Sequence, residues 1–133
     1  MTHPKDPTHW LYRLSAAEWL ESAETELRHC ADTLRRRAFR PGVTHARRAA
    51  GMAWNAVLTE SFDVRYGRSY MEHVTALAKD DRAPDDARLA AQYLRDTPPA
   101  PPELVTLGKP DLGPLDAARV LVDYAKARAL RTN

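Results

Sequence analysis

The sequence predicts an all-α fold, an antiparallel up-down bundle of four to five helices, in a single domain spanning residues 1–133. Three observations carry that expectation. In the stretch 44–58, Ala46, Ala49, Ala50, Ala53, Trp54, Val57 and Leu58 recur at helical spacing and make one apolar face. A second stripe of the same period runs through Trp19, Leu20, Ala23, Leu27, Cys30, Ala31 and Leu34. No alternating strand pattern or internal repeat occurs anywhere in the chain, and Pro and Gly fall between the helical stretches.

Residues 1–14 hold Pro4 and Pro7 and read as an extended lead-in whose Trp10, Leu11, Tyr12 and Leu14 dock onto the bundle. The first helix starts at Ser15, where Ser15 and Glu18 form a capping box, and is expected to reach about Ala38. Its acids lie early and Arg35, Arg36 and Arg37 lie late, which complements the helix dipole. Pro41 and Gly42 are expected to break the chain between helices, so that the second helix starts after Thr44 as N-cap, ends near Phe62 and folds back against the first. Its small residues permit close approach, and Trp54 gives the neighbours something large to pack around.

The turn that follows uses Gly67 for a backbone conformation other residues resist. A third helix is expected from Ser69 to Lys79, with Tyr70, Met71, Val74, Leu77 and Ala78 inward. Pro84 then suits the first position of a fourth helix, Asp85 and Asp86 suit its positive end, and Leu89, Ala90, Tyr93 and Leu94 are its expected buried residues, with Thr97 ending it. The Pro-rich stretch 97–113 reads as a crossing loop, its first four prolines a stiff spacer and Leu104, Val105 and Leu107 packing points. Pro114 opens a last helix with Leu115, Ala118, Leu121, Val122, Ala125 and Ala129 inside.

The bulk composition excludes several classes. No apolar run approaches the roughly 18 residues of a membrane span, and the N-terminus lacks the apolar core of a signal peptide, so no membrane association is expected. The lone Cys30 sits in an apolar register and suits a reduced cytoplasmic protein. A net charge of +2 is too small for a general nucleic-acid argument. No metal site or cofactor is expected: His3 and His9 have no accompanying ligands, and there is no H-E-x-x-H, no phosphate-cradling glycine loop and no nucleophile elbow.

What remains is where the charges lie. Between Thr33 and Thr59 there is no acid, while Arg35, Arg36, Arg37, Arg40, Arg47 and Arg48 crowd the first half of the interval. With Thr44 as N-cap, Arg47 and Arg48 would oppose the dipole of the second helix, and a phosphate would satisfy both the free N–H groups and the arginines. Arg36, Arg37, Arg40, Arg47, Arg48 and Asn55 are therefore candidates for binding an anion or an acidic partner. Equally physical is internal neutralisation by Asp80, Asp81, Asp85 and Asp86, returned to the same end of the bundle by the connection between the third and fourth helices. Arg47, Gly51, Asn55 and Thr59 would form a polar strip opposite the apolar face.

A long helix opening WLESAETEL, a second reading ARRAAGMAWNAVL, a short third containing HVTAL and a last reading DAARVLVDYAKA together resemble the HEPN family (higher eukaryotes and prokaryotes nucleotide-binding domains) in element order and length. Ala49, Ala50 and 55–58 fall where the family's second helix has matching residues, whereas Gly51 stands where an acid is usual. The resemblance implies one of two functions. Non-catalytic members are dimeric bundles that partner a nucleotidyltransferase, often in toxin–antitoxin pairs. This chain looks more similar to those, and as such would be a homodimer with no histidine beside Arg47, Arg48 and Asn55. Catalytic members are metal-independent ribonucleases carrying an Arg and a His with four to six residues between them near the start of a late helix, across a dimer interface. Here only Arg40 with His45 and Arg68 with His73 have that spacing, both before the expected place. RNA or a nucleotide would then be the substrate, and otherwise both histidines are ordinary residues, His45 on the surface of a first turn and His73 partly exposed.

Overall fold

The computed structural model describes residues 9–98 and 110–130. Among them are five α-helices and no strand, the all-α bundle that the apolar periodicity predicts. The expected packing of 104–107 and any role of His3 lie outside the described residues. No helix among the described residues is long and apolar enough to cross a membrane.

Helix α1 (Ala16–Arg35) opens with the predicted capping box: Ser15 Oγ accepts from the Glu18 N–H at 3.1 Å and Glu18 Oε1 accepts from the Ser15 N–H at 2.9 Å. It buries Trp19, Leu20, Ala23, Leu27, Cys30 and Leu34, with Glu26 on the same face. The lead-in docks as expected, but its residues Trp10–Arg13 form a 3-10 helix rather than an extended segment. Leu11 is fully buried, and the Trp19 indole N–H donates to the Leu11 carbonyl at 2.9 Å, so the helix holds the segment that precedes it.

The first difference from the sequence reading comes at the end of α1. The helix stops at Arg35 rather than Ala38, closed by a Schellman motif in which the Ala38 N–H reaches the Thr33 carbonyl and the Arg37 N–H the Leu34 carbonyl, both at 2.9 Å. Arg37 takes the left-handed conformation, φ 65°, that glycine usually supplies. Helix α2 (Phe39–Glu60) then begins at once with Ala38 as N-cap, so Thr44 is not the cap but lies inside the helix, its hydroxyl donating to the Arg40 carbonyl. Pro41 and Gly42 do not break the chain. Pro41 is the third helical residue, where no intrahelical N–H partner exists to be lost. A Cβ on Gly42 would overlap the Leu34 side chain, so this glycine lets α2 cross close over the end of α1.

Helix α2 touches each of the other four helices, and every residue from Ala49 to Thr59 is buried. The expected polar strip is therefore absent: Gly51, Asn55 and Thr59 are core residues. The cover comes from the chain after α2. Gly67, at φ 70°, turns it, and the segment doubles back so that the Tyr66 ring lies 4.9 Å from Trp54 and Tyr70 lies against Gly51. Helix α3 (Tyr70–Lys79) starts there, with a second capping box between Ser69 and Glu72.

Helix α4 (Asp85–Asp96) follows Pro84, which is the N-cap rather than the first helical residue, and carries Asp85 and Asp86 in its first turn as expected. Its buried face is Ala87, Ala90, Ala91 and Leu94. Leu89 and Tyr93, read as core, are instead 62% and 40% exposed. The alanines and Leu94 face the bundle, and Leu89 and Tyr93 are turned outward. Helix α5 (Gly113–Ala129) has Pro114 in its first turn, and its Tyr124 ring stacks 5.7 Å from Trp54, while Leu115 is only half-buried. Arg119 of α5 meets Glu24 of α1 at 3.1 Å and closes the bundle.

Candidate functional sites at the α1–α2 hairpin and beneath Trp10

The six residues expected to bind an anion or partner do not share one groove. Arg36 pairs with Asp32 one turn earlier at 3.1 Å, both exposed. Arg40 is exposed, and Arg37 occupies the left-handed turn. Arg47 reaches across the bundle instead. Its Nε donates to the Leu94 carbonyl at 2.9 Å and its Nη2 to the Thr97 carbonyl at 3.0 Å, which caps the C-terminus of α4. Arg48 Nε donates to Glu26 Oε1 at 3.1 Å.

The supposed dipole conflict disappears once α2 is seen to begin at Phe39. Arg47 and Arg48 then stand beyond the first turn, where the effect is felt. Nor does the acidic connection cover this end. Asp80 accepts from the Tyr66 hydroxyl and pairs with Arg82, and Asp85 pairs with Arg88. Because the chain doubles back before α3 begins, Asp80 is held at the Tyr66 hydroxyl rather than beside the arginines of α2.

Asn55 and His73 make a buried polar pair. His73, expected to be partly exposed, has 0% of its surface accessible and lies beneath the Trp10 ring, 24° from parallel at 6.5 Å. Its Nδ1 is 2.6 Å from the Tyr66 carbonyl, which can only accept, so Nδ1 carries a proton. Its Nε2 meets the Asn55 carboxamide at 2.7 Å. Burial holds the His73 pKa down and so keeps the ring neutral, with the Tyr66 carbonyl and Glu72 opposing only in part. A neutral ring needs a donor at Nε2. With Oδ1 facing the ring, Asn55 Nδ2 has no partner, whereas the isosteric turn of the amide gives His73 one donor bond and one acceptor bond. Arg68, the other half of this Arg–His spacing, is exposed and lines a cleft with His9, Trp10, Phe62, Val64 and Gly67. The histidine is sealed away from that cleft's solvent and both its nitrogens are engaged.

The other pairing fares differently. His45 is half-buried in the second turn of α2, not a first-turn surface residue, and its Nδ1 lies 2.8 Å from Glu26 Oε1. Arg48 binds the same oxygen, and His29 Nδ1 lies 3.9 Å from Oε2, its ring 5.3 Å from that of His45. Burial pushes the Glu26 carboxyl up, but the His45 hydrogen bond and the Arg48 charge outweigh it and hold the group below its ordinary value. Contrary to the expectation for a non-catalytic member, a histidine does stand beside Arg48. Behind this cluster, burial and then the Glu26 charge push the Cys30 thiol up to about 12, as befits a packing residue.

In the sequence Glu26 reads only as one of the early acids of α1, with no site role. The signal was there: Glu26 falls among Ala23, Leu27 and Cys30 on the apolar stripe, and a carboxylate at such a position is buried only with partners. Which partners depends on the register between α1 and α2, and that is set by the short Arg36–Ala38 connection. No family model, characterised protein or solved structure matches the chain.

Proposed function

We propose that this chain is a non-catalytic, HEPN-like interaction module that binds a partner protein through the outer face of α4. The observation that carries this reading is the pair Leu89 and Tyr93, one helical turn apart and both exposed. The neighbouring acids Asp85 and Asp96 are each paired with an arginine of the same helix, Arg88 and Arg95, so the matching partner surface is an apolar groove rather than a charged one. A nucleotidyltransferase in a toxin–antitoxin-type pair is the partner class the HEPN resemblance implies, with the chain acting as a homodimer. Co-expression with the product of the neighbouring reading frame, followed by light scattering, tests the idea. The expected result is a stable complex that the double variant Leu89→Lys/Tyr93→Lys disperses while its melting temperature stays unchanged. A complex indifferent to that variant, or none at all, would refute it.

A second reading has one specific observation in its favour. His45 is half-exposed with a carboxylate on one side and Arg48 beside it, the ingredients of acid–base chemistry next to a phosphate-binding cation. This is the metal-independent ribonuclease reading, with Arg40 and His45 as its motif. It requires RNA cleavage by the purified chain in excess chelator, abolished by His45→Ala. A chain inert on RNA under those conditions would sink it.

A further inference from the structure

The Glu26, His29 and His45 cluster has a composition that hydrogen bonding alone does not require. One ligand atom from each of the three lies within 4.8 Å of the other two. Glu26 and His29 are one turn apart on α1, the Glu-x-x-His spacing that places a carboxylate and an imidazole on the same helix face, and His45 comes from α2 opposite. The two carboxylate oxygens divide between the two rings: Oε1 faces His45 Nδ1 at 2.8 Å and Oε2 faces His29 Nδ1 at 3.9 Å. Glu26 is held almost entirely inside the protein, whereas His29 is exposed, so one ligand is fixed and another is free to move.

The geometry points to a divalent metal site of the zinc class, held by Glu26, His29 and His45. Two imidazoles and one carboxylate form the donor set of three-ligand zinc sites, whose fourth position is left to water or another ligand. Bonds of roughly 2.0–2.1 Å at tetrahedral angles put ligand atoms roughly 3.3 Å apart. The His45–Glu26 pair is already closer than that, and a rotamer change of the exposed His29 brings in the third. Imidazole donors disfavour magnesium and calcium, which prefer all-oxygen shells. The one cation already present, Arg48, holds Oε1 at 3.1 Å. It is half-exposed on a flexible stem and competes with the metal for the negative charge of the same carboxylate. The ion would tie α1 to α2 with its open position toward solvent at His29. No α4 residue takes part, so this inference is independent of the partner surface; an ion on His45 would, however, exclude the chelator-resistant ribonuclease reading.

Calorimetric titration of the full chain, carrying no histidine tag, with zinc chloride and separately with magnesium chloride tests the site. The expected result is one zinc per chain, a rise in melting temperature on zinc addition and no response to magnesium. His29→Ala removes an exposed side chain and so leaves the apo fold intact, and it should weaken zinc binding by about tenfold or more. Arg48→Gln removes the competing cation and should tighten it. The double variant His3→Ala/His9→Ala should bind zinc as the parent does. Absence of zinc binding by the parent chain, binding undiminished in His29→Ala, or binding lost with His3 and His9 would each overturn the assignment.

Discussion

His73 has opposite requirements on its two sides. The Tyr66 carbonyl demands a proton on Nδ1, and burial forbids a second one. Its pKa is therefore lower folded than unfolded, and the unfolded chain binds the extra proton first. Stability is complete above the unfolded value of about 6.5 and falls as pH drops through it toward the folded value, the sign expected when the unfolded state holds more protons. Thermal melts should show melting temperature declining below pH 6.5, and His73→Gln should remove that part of the slope even though it lowers stability throughout. Gly51 is a packing residue. The glycine is explained by the Tyr70 side chain, which occupies the space a Cβ would need. Gly51→Ala should cost about 1–3 kcal/mol in denaturant melts through overpacking, and pairing it with Tyr70→Ala should cost less than the two added separately.

Among the elements, the apolar stripes of α1, α2 and α5 were legible because burial imposes their period whatever the neighbours are. The start of α2 was not, since Pro and Gly in sequence mark the beginning of a helix as readily as its end. Only the Schellman closure at Arg37 decides that Phe39 is already helical. An N-cap at Thr44 would put Arg47 and Arg48 into a dipole conflict that the true cap at Ala38 removes. Arg47 in fact completes α4, and its two hydrogen bonds, donated to the Leu94 and Thr97 carbonyls, depend on the planar fork of the guanidinium. Arg47→Ala should destabilise by about 1.5–3 kcal/mol and speed amide exchange in the last turn of α4 ahead of the other helices. Arg47→Lys should recover only part of that loss, because one ammonium cannot span both carbonyls as the fork does.

For the molecule as a whole, the fold was readable and the candidate sites were not, for one reason. A core needs only the right residue types at the right period, whereas Glu26, His29 and His45 become neighbours only through the crossing of two helices. The same holds for Leu89 and Tyr93, whose exposure depends on how closely the alanines of α4 pack. Trp54 concentrates the packing, with the Tyr66 and Tyr124 rings both against it, and Trp54→Ala should cost about 3–5 kcal/mol by denaturant titration.

Cys30, with no accessible surface, sits in the middle of this core and is the chain's single cysteine. It is thus a built-in clock for opening of the molecule: an alkylating reagent can mark the sulfur only while α1 is away from α2. In the parent chain the rate of marking reports how often the hairpin comes apart, and Trp54→Ala should raise it roughly a hundredfold or more, in proportion to its free-energy cost. Zinc bound one turn away should slow the same clock, so a single thiol lets opening of the hairpin be timed with and without the ion.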